Sequence, residues 1–149
     1  MDLILWRHAE AEDGVPDLER RLTANGRKDA ERIARWLLQR LPAGFVLVSS
    51  PATRAQETAE ALGVPTKTDR TLAPGAAPAT ILKACGWPDH QGAVVVVGHQ
   101  PDLGRALAYL LGASRSFSVK KGALWWMSKR VRDEEDQVVV RAVVSPDLL

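Results

Sequence analysis

Hydrophobic positions in this chain follow two patterns. One is a set of short unbroken apolar runs, and the other is a pair of longer stretches with apolar residues three and four apart. The runs Leu3-Ile4-Leu5-Trp6, Phe45-Val46-Leu47-Val48 and Ala93-Val94-Val95-Val96-Val97 are too short for helices and are predicted to be buried strands. Ala30, Ile33, Ala34, Leu37, Leu38 and Leu41 trace one face of a helix, with Thr23 as its N-cap and Pro42 and Gly44 ending it. Leu103, Ala106, Leu107, Leu110 and Leu111 trace a second helix, started by Pro101 and closed by Gly112. Between the second and third runs, Ser50 is read as the cap of a helix with Pro51 at its first position. Weaker signals place a short strand near Thr66-Lys67-Thr68 and a brief helix over 79–84, opened by Pro78. Near the C-terminus, 123–128 and 138–144 flank a charged turn at 133–136 and read as an antiparallel pair. Trp125 and Trp126 are adjacent there, so only one is expected to face the core. Strands alternating with helices predict an α/β fold: a three-layer α/β/α sandwich with a mainly parallel central sheet and a late hairpin, formed by 1–149 as one domain.

Each strong strand ends in polar residues. The first runs into Arg7-His8-Ala9-Glu10, the second into Ser49-Ser50-Pro51-Ala52-Thr53-Arg54, and the third into Gly98-His99-Gln100-Pro101. In open α/β sheets ligands bind beyond the carboxyl ends of the strands, so Arg7, His8, Arg54 and His99 are candidates for one site. A guanidinium grips phosphate oxygens and an imidazole can attack phosphorus, which suits these residue types to an anionic phosphoryl group. Arg54 falls in the first turn of its helix, where a cation is unfavourable unless an anion joins it. Taken singly, an arginine in such a position is usually a solvated surface residue and a histidine is more often structural. Their repetition at the same topological position is what selects the functional reading.

Composition narrows the class. With 46% hydrophobic and 26% charged residues the chain is globular, and a formal charge of +2 suits an anionic ligand without calling for nucleic acid. The basic run Lys129-Arg130-Val131-Arg132 is divided by strand alternation between two faces, so it is not read as a nucleic-acid patch. One cysteine, Cys85, allows no internal disulfide. No apolar run approaches the roughly 20 residues of a membrane span, and the N-terminal run stops at Arg7, too soon for a signal peptide, so a cytoplasmic protein without a membrane partner is expected.

Arg7-His8-Ala9-Glu10 resembles the Arg-His-Gly signature of the histidine phosphatase (phosphoglycerate mutase-like) superfamily, with Ala9 in place of the usual glycine. Ser50 to Thr58 looks like its second motif, Gly98-His99-Gln100-Pro101 like its third, and Leu22-Thr23 with Gly26 like the segment before its first helix. The short length, Arg21-Leu22-Thr23 and the Ser-Pro-x-x-Arg-Ala form are most similar to its small phosphohistidine phosphatase branch. The resemblance implies a phosphoglycerate mutase-like fold and a metal- and cofactor-independent phosphatase. In it His8 attacks phosphorus to form a phosphohistidine intermediate, Arg7, Arg54 and His99 hold the phosphoryl oxygens, and Arg21 is a further phosphate-binding candidate.

The leaving group then sets the substrate. An alkoxide needs a proton from a general acid, whereas the imidazole of a protein phosphohistidine needs less help. The stretch where many superfamily members are expected to carry an acid, Leu72-Ala73-Pro74-Gly75-Ala76-Ala77, contains none. That favours a phosphorylated protein, for example a histidine phosphotransfer domain. Glu10, Glu12, Asp13 and Asp17 in the first loop remain possible acids, which keeps open a small phosphorylated metabolite as substrate. A phosphate-binding or scaffolding domain with weak turnover is the third reading.

Overall fold

A computed structural model describes all 149 residues. Six strands form one sheet: β1 (Asp2–Arg7), β2 (Val46–Ser49), β3 (Lys67–Thr68), β4 (Ala93–Gly98), β5 (Leu124–Arg132) and β6 (Glu135–Val144), in the spatial order β3-β2-β4-β1-β5-β6. The first four are mutually parallel, and β5 and β6 add an antiparallel hairpin beside β1. The helices are α1 (Ala24–Leu38), α2 (Thr53–Glu60), α3 (Pro78–Ala84) and α4 (Asp102–Leu111). None is long and apolar enough to cross a membrane.

Strand alternation sorts the core into two layers. Ile4, Trp6, Leu47, Val95 and Val97 pack with α1 (Ala30, Ile33, Ala34, Leu37) and α2 (Ala55, Ala59). Leu3, Leu5, Val48, Val94 and Val96 pack on the opposite face with α3 (Ile81, Leu82) and α4 (Leu103, Ala106, Leu107). Helices on both faces make the sandwich three-layered, which is why β4 is apolar at every position. Covering both faces also settles the tryptophan pair. Trp126 is buried against Trp36 of α1, and Trp125, pointing the other way, packs partly buried on Phe117. As expected, only one of the two, Trp126, is in the buried core.

Several local expectations shift by a turn. Thr23 caps α1 as expected, its hydroxyl accepting from the Gly26 amide at 2.9 Å. The helix stops at Leu38, before Pro42 and Gly44. Ser50 and Pro51 do not start α2, which begins at Thr53 with Ala52 as its cap. Ser50 does bond the Ala52 amide, but its hydroxyl also meets His99, a contact that capping rules do not contain. Pro101 is the N-cap residue of α4, not its first helical residue, and Gly112 closes that helix in the left-handed conformation (φ 64°). The hairpin is longer than the sequence suggests. Its turn narrows to Asp133-Glu134, both at positive φ, and Lys129 pairs with Asp136 across it.

Candidate active site

The sheet order puts β2, β4 and β1 side by side, and their registers (Ser49 opposite Val97, Arg7 opposite Gly98) end the three strands level. The residues that follow therefore emerge on one edge within about 10 Å, two strand spacings. The amino ends of α2 and α4 open at the same edge, adding partial positive charge.

His8 and His99 are both buried, with ring centroids 5.3 Å apart, and Arg54 lies against both. The His8 Nδ1–H donates to the carbonyl of Ala9 at 2.7 Å, which leaves Nε2 unprotonated; that atom accepts from Arg54 Nε at 3.3 Å. Arg54 Nη2 stands 3.5 Å from His99 Nδ1, and His99 Nε2 lies 2.7 Å from the Ser50 hydroxyl. Arg7 Nη1 donates to the carbonyl of Val119 at 2.8 Å, while its buried Nε has no acceptor within the protein.

Burial among arginines keeps both imidazoles neutral. Desolvation is the main cause that pushes His8 down to about 4; the Ala9 carbonyl opposes it, and the charges of Arg54, Arg7 and Arg20 add to it. His99 is pushed down to about 3 by desolvation first, then by His8, Arg54 and Arg7, with Asp17 acting the other way. Desolvation and then Arg54 hold the Arg7 guanidinium below its usual value, without removing its charge at neutral pH.

Arg7, His8, Arg54 and His99 thus come together. The other candidates are distributed differently. Arg21 is largely exposed and lies 3.5 Å from Glu57, which also pairs with Arg27 at 2.6 Å and accepts from the Leu22 amide. Its guanidinium is not in contact with the four. Glu10 accepts from the Thr23 hydroxyl at 2.8 Å, and Glu12 and Asp13 are exposed on the loop without ion pairs. Among the four acids only Asp17 touches the cluster, through Arg54. Desolvation is the largest single influence and raises its carboxyl, but the bonds and charges of Arg54 and Arg20 together outweigh it and hold the carboxyl below the usual carboxylate range. No three His, Cys, Asp or Glu side chains converge as a metal-ligand set.

Sequence reasoning missed the supports. Thr58, fully buried, accepts from the Ala9 amide at 3.0 Å and donates to the Arg54 carbonyl at 2.8 Å, tying the nucleophile turn to α2. Asp102 accepts from the amides of Gly75 and Ala76, fixing the acid-free segment to the first turn of α4. Gln100 bridges the Gly104 amide and the Phe117 carbonyl, holding the segment that presents Val119 to Arg7. Thr58 and Gln100 lay within the second and third motif-like stretches, but neither stretch revealed what their side chains hold.

A family model described as histidine phosphatase superfamily (branch 1) matches residues 3–75. Uncharacterized protein Rv1276c of Mycobacterium tuberculosis is 35% identical over 112 residues, covering 72% of this chain and 70% of that protein. The structure of a putative phosphohistidine phosphatase SixA from Nakamurella multipartitia superimposes with a TM-score of 0.77 at 25% identity, covering 97% of this chain and 95% of the other. The same fold recurs in a phosphoserine phosphatase from Entamoeba histolytica in complex with phosphoserine, with a TM-score of 0.73 at 17% identity over 99% of this chain and 98% of the other. With its phosphoglycerate mutase-like sheet and its two arginines and two histidines at one sheet edge, the chain belongs to the histidine phosphatase superfamily.

Proposed function

We propose that this single-domain phosphatase hydrolyses protein phosphohistidine through a covalent intermediate on His8. The observation that carries the reading is the His8 imidazole: its Nδ1–H is spent on the Ala9 carbonyl, and its neutral Nε2 faces Arg54 beside His99. In the first step a bond forms between His8 Nε2 and phosphorus while the substrate's phosphorus–nitrogen bond breaks, and the departing ring, protonated on its other nitrogen, keeps the electron pair and leaves as neutral imidazole. Water then cleaves the His8–phosphorus bond, releasing orthophosphate and restoring His8. Arg54 Nε and Nη2, together with the partnerless Arg7 Nε, supply hydrogens for the equatorial oxygens. Ser50 accepts from the Ala52 amide, so its single hydrogen is available to His99 Nε2. In this reading His99 Nε2 accepts that hydrogen and His99 keeps its own proton on Nδ1 for a phosphoryl oxygen, which takes the place of Arg54 Nη2 beside Nδ1. Cationic side chains carry the charge stabilisation, and the reading requires no metal.

Support for a phosphoramidate comes from the acids. The segment from Leu72 to Ala77 has none, and the one carboxylate near the cluster is held ionised by two guanidiniums. A small phosphate ester is the second reading, favoured by the fold shared with a phosphoserine phosphatase. The test is release of phosphate from a phosphohistidine peptide and from a phosphoserine peptide of the same sequence, by wild type and His8→Ala. Fast release from the first only, abolished in His8→Ala, is expected. Comparable release from phosphoserine would move the assignment to esters. Phosphate binding without turnover of either peptide would leave a binding domain.

A further inference from the structure

The loop between β1 and α1 delivers one side chain to the cluster, and its contacts define a role other than proton donation. The loop closes on itself: Ala11 bridges Leu22, and the Glu12 amide donates to the Arg21 carbonyl at 2.8 Å. At its tip Asp17 opens a single turn of 3-10 helix, Asp17–Glu19. Arg54 Nη1 donates to the Asp17 carbonyl at 2.8 Å and Nη2 to Asp17 Oδ2 at 3.1 Å. The other carboxylate oxygen, Oδ1, accepts from Arg20 Nε at 3.0 Å, and Arg20 Nη1 is anchored on the Glu12 carbonyl.

A guanidinium is a flat fork with two useful edges. Asp17 grips the Nη1–Nη2 edge through its backbone and its side chain together. The Nε–Nη2 edge is left facing His8 Nε2 and His99 Nδ1, where a phosphoryl group bound to His8 must lie. We propose that Asp17 is the positioning residue of Arg54: it clamps the outer edge of the guanidinium so that the inner edge meets the phosphoryl oxygens. It does not protonate the leaving group, because both its oxygens are already engaged by arginines. This inference rests on the proposed phosphatase chemistry. It deepens that reading, because a site without a free acid is confined to leaving groups that depart unprotonated or nearly so.

The test uses the full chain with Asp17→Ala and Asp17→Asn. Asp17 is 58% exposed in its side chain, so thermal midpoints close to wild type are expected for both. Two quantities are measured: the dissociation constant for inorganic phosphate, and kcat/KM for aryl phosphates of graded leaving-group basicity alongside a phosphohistidine peptide. Asp17→Ala is expected to weaken phosphate binding and to lower kcat/KM about tenfold or more, by the same factor for every leaving group, as for a misaligned catalytic group. Asp17→Asn keeps an oxygen acceptor for Nη2 and is expected to restore most of the loss. An unchanged phosphate affinity in Asp17→Ala overturns the proposal. So does a loss in Asp17→Asn that grows with leaving-group basicity, which is the signature of a general acid. If the wild type binds phosphate but turns over no substrate, the phosphatase reading fails, while the affinity comparison still decides what Asp17 does to Arg54.

Discussion

The two neutral histidines make fold stability depend on pH in a window that no other buried group occupies. In the unfolded chain each imidazole has a pKa near 6.5. In the folded protein His8 is held at about 4 and His99 at about 3, because charging either would add positive charge to a buried site that already holds Arg7 and Arg54. The unfolded state therefore binds more protons than the folded state between these values, and stability must fall as pH falls. Lowering the pH from 7 to 5 protonates each imidazole almost fully in the unfolded chain and hardly at all in the fold. The resulting loss is about 2 kcal/mol per histidine and about 4 kcal/mol for both, a large share of a typical domain's stability. Carboxylates held low in the fold, such as Glu57 and Asp17, lose their contribution only below about pH 4.5, so they leave this window clear. Urea unfolding followed by tryptophan fluorescence at pH 7 and pH 5 measures the loss directly. His8→Gln and His99→Gln should each remove about half of the pH dependence, and the double variant nearly all of it. A wild-type loss below about 1 kcal/mol would refute the reasoning, as would a loss that persists in the double variant.

Two further substitutions test the supports of the site. A Cβ on Gly26 would overlap the backbone carbonyl of Glu10, next to the Ala9 carbonyl that fixes His8. Alanine favours a helix over glycine by about 1 kcal/mol, but forcing backbone apart in a packed interior costs about 1–3 kcal/mol. Gly26→Ala should therefore lower both the urea midpoint and phosphatase turnover, and a more stable, fully active variant would contradict the close packing of α1 on that turn. Gln100→Leu removes the bridge from the Gly104 amide to the Phe117 carbonyl and leaves only the Phe117 amide bonded to the Gly104 carbonyl of α4 at 3.2 Å, loosening the Val119 carbonyl that orients Arg7. KM should rise about tenfold with little change in the urea midpoint, and the effect should vanish in an Arg7→Ala background, because the two act as one unit. Additive losses would show that Gln100 acts elsewhere.

The sequence by itself determined the elements whose signal is local. Unbroken apolar runs marked β1, β2 and β4, the three-and-four spacing marked α1 and α4, and the polar residues at the three strand ends marked Arg7, His8, Arg54 and His99. These are legible because burial on both faces of a parallel strand, or on one face of a helix, dictates residue type at fixed short intervals. Tertiary structure decided everything that depends on a partner distant in the chain. The order β2-β4-β1 brought residues 7, 54 and 99 to one edge, and no local pattern encodes which strand pairs with which. It made Ser50 a partner of His99 instead of a helix cap, put Arg21 on Glu57, and singled out Asp17 from four acids in one loop. It also set the charge state of the histidines: an imidazole carries no intrinsic mark of neutrality, and only burial, beside guanidiniums that include Arg54 of α2, pushes its pKa down. Residue identity supplied the chemistry available, while the fold fixed which groups are close enough, and dry enough, to use it.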